Sequence, residues 1–178
     1  GPNGCKVLGA LGLLEQVKQL AFIPQAAEMR LGDTGKIIFS LPLANTCEQR
    51  YGAPYLNIHR ADLQKVLVNA VQQQIPDALQ LGFELKDLTQ DEQQAHLEFL
   101  NGQQFDADLV IGADGIHSAV RASLYPHEGE PRFCGQMMWR AAIESTPYLD
   151  GLTHAISGHR DQKFLVYPMS ATARSRGR

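Results

Sequence analysis

Residues Ala107 to Arg121 read ADLVIGADGIHSAVR, and no other stretch of the chain restricts its fold as tightly. Leu109-Val110-Ile111 lacks polar alternation, the pattern of a strand buried on both faces of an open α/β sheet. In such sheets ligands collect beyond the carboxyl ends of the strands. Gly112-Ala113-Asp114-Gly115 therefore falls where a ligand would be met, and its glycines let backbone approach closely. Ser118 can cap a short helix, AVRASLY, that Pro126 follows, so backbone donors at its start can face an anion. The plainer alternative is that Asp114-Gly115 is only a turn, since Asp-Gly is a common turn pair.

The 178 residues suffice for one ordinary domain or two small ones. With 44% hydrophobic and 20% charged residues, the composition is that of a globular chain rather than a disordered one. No run approaches the roughly 18 apolar residues of a membrane span, and no basic-then-apolar leader opens the chain. A cytoplasmic location is the resulting expectation. The net charge of −3 includes three arginines among the last five residues; without them 13 basic residues face 19 acidic ones, which argues against a nucleic-acid partner. The segment Ala171–Arg178 looks foreign to the rest. Cys5, Cys47 and Cys134 are odd in number and far apart, fitting neither a disulfide framework nor a zinc site. Three reduced, mostly packing thiols and no metal are expected.

Along the chain, Asn3 can cap a helix carrying Val7, Leu8, Leu11 and Leu14, with Gly12 as a break. Two extended runs between Ala26 and Leu41, joined through Asp33-Thr34-Gly35, read as a hairpin. A Pro-, Asn- and Gly-containing loop is expected from there to about Pro54. A helix then presents Leu63, Val66, Leu67, Ala70 and Val71 on one face and stops at Pro76. LGFELKDL and AHLEFL read as strands, and Asn101-Gly102 as a tight turn into the strand that carries the opening motif. GQMMWRAAIES and KFLVYPM have strand composition, separated by a Gly- and His-containing loop. Gly32 to Lys36 is no phosphate-binding loop, because that motif needs two more residues between its glycines and a Ser or Thr where Ile37 stands. His59-Arg60-Ala61-Asp62 lacks the spacing of a kinase catalytic loop.

Arg60 stands just before a helix, where the macrodipole disfavours a cation. Either Asp62 and solvent compensate it, or Arg60 and the helix start together grip phosphate or ribityl oxygens of a ligand.

Taken together these residues resemble a known family. YLNIHRADLQKVL resembles the His-Arg-x-Asp-Leu segment of the class A flavoprotein monooxygenases, the group of salicylate hydroxylase and p-hydroxybenzoate hydroxylase. DLVIGADGIHSAVR is similar to that family's Asp-Gly motif, and PNGCKVLGALGL, GQMMWRAAI and FLVYP are similar to further segments in the same order. The resemblance implies an α/β fold: an incomplete Rossmann-like FAD-binding domain, residues 1–24 and 59–132, interleaved with part of a substrate-binding β-sheet, residues 25–58 and 133–178. It implies that Arg60 contacts FAD and that Asp114, Gly115, Ser118 and Arg121 belong to the motif associated with FAD and the pyridine-nucleotide path. Asp114 would order hydrogen bonds rather than transfer protons, and no catalytic residue is assigned. His117 is expected at the surface, and Trp139 and Arg140 as supports of the sheet.

The family's Gly-x-Gly-x-x-Gly turn and its later Gly-Asp segment have no counterpart in this sequence, so the chain resembles an internal piece of such an enzyme. In the parent, NAD(P)H would reduce FAD, and a flavin hydroperoxide formed with molecular oxygen would hydroxylate an aromatic substrate. This chain alone is expected not to retain FAD and to purify colourless. The rival readings are a catalytically inactive remnant, or a different flavoenzyme of the same fold such as a reductase or halogenase.

Overall fold

The structure, a computed structural model, describes residues 1–170; the Ala171–Arg178 tail lies outside the described residues. In chain order the elements are α1 (Pro2–Ala10), α2 (Leu14–Leu20), β1 (Ala26–Arg30), β2 (Ile37–Pro42), α3 (Ala44–Tyr51), α4 (Arg60–Gln74), β3 (Leu85–Gln90), β4 (Ala95–Phe99), β5 (Gln104–Ala107), α5 (Ala119–Leu124), β6 (Thr153–Gly158) and β7 (Lys163–Val166). This is an α/β chain. It divides into two compact units, one formed by Gly1–Pro76 with the segment from Ala141 on, the other by Asp77–Arg140.

In the first unit, α1 starts on Pro2, whose fixed φ and missing N–H suit the first helical position. Asn3 therefore lies inside the helix, and Gly1 takes the cap position expected for Asn3. The helix stops where Gly12 enters the left-handed region at φ +73°. The hairpin of β1 and β2 forms as expected, with Asp33 accepting from the Thr34 amide at 2.7 Å in its turn. Helix α3 replaces the expected loop: it buries Cys47 and ends on Gly52 at φ +69°. Its single buried apolar side chain leaves almost no helical periodicity to read. The second element missed in the sequence is the strand β6, inside the expected Gly- and His-containing loop. It pairs parallel with β1, Ala26 opposite Thr153, and antiparallel with β7, giving the order β2-β1-β6-β7. Neighbours so distant in sequence leave no local signal.

Cys5, Val17, Ala21, Ala53, Leu56 and Val66 form the buried cluster, with Leu8, Leu14, Ile58 and Leu63 packed around it. Cys5 and Cys47 pack inside as reduced thiols, and Cys134 is exposed. On β6, His154 stacks on Tyr167 with centroids 4.5 Å apart, and both ring nitrogens are buried without a hydrogen-bond partner among the described residues.

The second unit is a three-stranded antiparallel sheet, β3-β4-β5, with α5 against β3. Phe83, Phe99 and Phe105 meet edge to face on one side, with centroids 5.2 to 6.0 Å apart. On the other side His96 lies between Asp106, 2.6 Å from Nδ1, and Asp91, 3.0 Å from Nε2. Two sequence expectations fail here. Strand β5 ends at Ala107 and does not continue through Leu109-Val110-Ile111; Leu109 is 76% and Ile111 81% exposed. No strand pairs with this run among the described residues, so its side chains have no surface to bury against. GQMMWRAAIES likewise forms no strand, and Trp139 is 90% exposed rather than supporting a sheet.

Candidate functional site

Each unit carries one of the two elements singled out in the sequence. In the first, a short antiparallel bridge fixes the approach to Arg60: the Phe22 amide donates to the Asn57 carbonyl at 2.7 Å, and the Asn57 amide returns a bond to Phe22 at 2.8 Å. The buried Asn57 side chain donates to the Pro168 carbonyl at 3.1 Å, so its amide is satisfied where an unpaired one would be costly. Leu56 anchors the same stretch in the core. His59 then caps α4, its Nδ1 accepting from the Ala61 amide at 3.3 Å. Arg60 is the first helical residue. It is exposed and makes no hydrogen bond or ion pair among the described residues, Asp62 included. The compensation by Asp62 is thus not seen, and a cation stands unneutralised at a helix start, held in place by buried neighbours.

In the second unit Asp114 faces inward to its own chain. Its carboxylate accepts from the Ser118 hydroxyl at 2.5 Å, from the Ala119 amide at 2.7 Å and from the Val120 amide at 3.3 Å. The Ser118 hydroxyl in turn accepts from the Arg121 amide at 2.9 Å. These donors, the Ser118 hydroxyl first, hold the Asp114 carboxyl below its ordinary pKa. The expectation that the first amides of α5 face an outside anion is corrected by this geometry: Asp114 and Ser118 already occupy them. Gly115 takes φ +87°, which closes the bend back onto the helix. At Gly112 a Cβ would stand 2.9 Å from the Val120 side chain, so only glycine lets the loop lie against α5. Arg121 is engaged by Glu128, its Nε 2.5 Å from Oε2 and a second nitrogen on Oε1. Glu128, seven residues on, was not singled out in the sequence; it lies past the end of α5, where helical spacing no longer applies.

His117 is at the surface, as expected. Arg140 lies outside any strand, with its Nε 3.0 Å from the Met138 sulfur. Among the described residues no cluster of His, Cys, Asp or Glu could hold a metal, and no helix is long and apolar enough to cross a membrane.

The model of the FAD binding domain family matches residues 4–176. Among curated proteins, the chain is 37% identical over 145 residues to 3-amino-4-hydroxybenzoate 2-monooxygenase of Streptomyces cremeus, covering 82% of this chain and 36% of that enzyme. It is 30% identical over 155 residues to 6-hydroxynicotinate 3-monooxygenase of Pseudomonas fluorescens, covering 85% of this chain and 38% of that enzyme. The chain thus spans well under half the length of these relatives. Among solved structures, the R204Q form of Klebsiella pneumoniae HpxO complexed with FAD superposes with a TM-score of 0.78 at 20% identity, covering 96% of this chain and 44% of that one. That likeness establishes the fold.

Proposed function

The chain belongs to the FAD binding domain family, and on that premise we propose that it forms part of an FAD- and NAD(P)H-dependent monooxygenase that hydroxylates an aromatic ring with molecular oxygen. Both curated relatives carry monooxygenase in their names, and the substrates those names give are aromatic acids. An aromatic acid is accordingly the substrate class proposed here, and the cytoplasm the place of action.

The observation that carries the reading is Arg60: an unpartnered guanidinium on the first turn of α4, with the backbone before it pinned by Phe22, Leu56 and Asn57. A helix start and a guanidinium form an anion-binding arrangement suited to a dinucleotide's phosphate or ribityl oxygens. The Asp-Gly motif fits the same group differently. Asp114 and Ser118 spend their polar atoms on the bend, Gly112 lets the loop lie against α5, Gly115 adds no side chain to the bend, and Arg121 is tied to Glu128. In this proposal the motif contributes shape, and Arg60 contributes charge. When bound, FAD supplies the redox chemistry; the residues of this chain bind and orient it. The division into FAD-binding segments 1–24 and 59–132 and substrate-sheet segments 25–58 and 133–178 belongs to the same proposal.

The test is flavin retention in a longer, flavin-competent form of the enzyme. Arg60→Ala should weaken FAD binding about tenfold or more, the value of one charged hydrogen bond, while Arg60→Lys loses less. Unchanged FAD affinity in both variants would refute the role of Arg60.

A further inference from the structure

Two polar residues are buried among the described residues, Asn57 and Thr153, and their side chains serve different ends. The Thr153 hydroxyl donates to Asp150, three residues away, at 3.1 Å and closes a local turn. The Asn57 side-chain amide donates to the Pro168 carbonyl at 3.1 Å, 111 residues on. A bond of that span holds two remote segments against each other.

Each end of the bond lies where regular structure has run out. The pairing of β6 with β7 closes with Ala155 opposite Val166, so the Pro168 carbonyl lies past the last strand partner. Just before it, Tyr167 stacks on His154 and keeps the chain beyond β7 against β6. At the other end, the Asn57 amide and carbonyl are both engaged by Phe22, which leaves the side chain to reach Pro168. Ala53, Pro54 and Leu56 are buried beside it and seat the segment in the core.

Arg60 follows three residues later, and no partner of its own side chain fixes its place among the described residues. The cap that opens α4 is a long bond, His59 Nδ1 accepting from the Ala61 amide at 3.3 Å. An N–H donor more usually stands roughly 2.9–3.0 Å from its acceptor. The first turn of α4 therefore takes its position from the residues before it. Among the described residues, the hydrogen bond from Asn57 to Pro168 is the one that a side chain of this stretch makes to another element. Asparagine suits the place: aspartate has no donor and would bury a charge, and serine has a donor but a shorter reach.

We propose that Asn57 is a positioning residue for flavin binding: its side-chain amide, fixed on the Pro168 carbonyl beyond β7, sets where α4 begins and hence where Arg60 meets the phosphate or ribityl oxygens of FAD. Groups that bind a ligand have to be held within about 0.5 Å of the productive geometry, and neighbours that touch no ligand do the holding. The inference rests on the proposed function in that Arg60 contacts FAD. It goes further in making that contact depend on the segment that follows β7.

The experiment is a double-mutant cycle on FAD affinity, read by flavin fluorescence in a longer, flavin-competent form of the enzyme. Asn57→Leu, similar in size and without a donor, should weaken FAD about fivefold while Arg60 is present, the value of one neutral hydrogen bond, and less than about twofold in the Arg60→Ala background. Asn57→Gln, which keeps the amide, should recover most of the loss. Near-ultraviolet circular dichroism checks that each variant is folded, and Asn57→Ser, whose hydroxyl stops short of Pro168, takes the place of Asn57→Leu if that variant is not. Unchanged FAD affinity would overturn the assignment. So would an equal loss in both backgrounds, which marks a structural effect that does not pass through Arg60. If Arg60→Ala alone binds FAD as tightly as the parent, the flavin reading falls and this one with it; a loss in Arg60→Ala with none in Asn57→Leu refutes the positioning role alone.

Discussion

Among the described residues, every fully buried side chain lies in the first unit, whereas the second has none. The first unit is held by a cluster of small and branched residues between helices, and its polar contacts serve that packing. The second is held by short-range directed bonds: Asp91 onto the amides of Gln93 and Gln94, Asn101 onto that of Gln103, Asp114 onto the start of α5. Burial depends on area and tolerates small adjustments; a directed bond depends on one geometry. The motif expected to shape a ligand-facing bend thus sits in the unit with less buried area, as segments that open locally commonly do.

The sharpest way to break this contrast is a cavity mutation. Val17, 1% exposed, touches the centre of the first core, and Val17→Ala should cost about 2 to 3 kcal/mol in denaturant unfolding. Leu109→Ala in the second unit removes more carbon from a side chain 76% exposed, and should change stability by less than about 0.5 kcal/mol. Equal costs would mean that burial does not distinguish the units.

A smaller effect of opposite sign is expected at His154. Its ring nitrogens are buried and unbonded, so His154→Phe, keeping the stack on Tyr167, should raise stability by about 1 kcal/mol. A loss of stability in thermal unfolding would show that the imidazole has a partner in solution.

The smallest and most telling difference is in pH. Burial lowers the His154 pKa from its ordinary 6.5, so the unfolded chain binds the proton more readily, and the first unit loses stability as pH falls through 6.5. Asp106 and then Asp91 raise that of His96, so its contribution is complete below 6.5 and is lost as pH rises through the higher folded value. Asp91, lowered to about 2 chiefly by the Gln93 and Gln94 amides, contributes fully above its ordinary 3.8 and loses this as pH falls towards 2. Amide exchange read unit by unit should therefore show the two moving in opposite directions near pH 6.5, and His96→Ala should abolish the effect in the second unit only.

The same division governs what the sequence could disclose. The hairpin of β1 and β2, helix α4 and the meander of β3 to β5 are built from neighbouring residues, and their periodicity and turn residues were readable. The cap by Ser118 was readable for the same reason. Strand β6 was not, since its partner β1 is remote, and nothing in THAISG marks a strand. Leu109-Val110-Ile111 misled in the opposite sense: an apolar run states a need for burial without supplying the surface that meets it. Arg60 and Asp114 were visible only as residue types; that the side chain of one is unpartnered among the described residues and that of the other consumed by its own helix required coordinates.

The parallel pairing of β1 with β6 also sets an order of events during synthesis. As the chain emerges from the ribosome, β1 finds β2 within a few residues, but Ala26 has to wait for Thr153 before its other edge closes. Throughout that interval a strand destined for the sheet's interior presents an open edge, vulnerable to pairing with other nascent chains. Arg30 and Glu28, both on that strand, place charged side chains of the kind that discourage such pairing on an open edge.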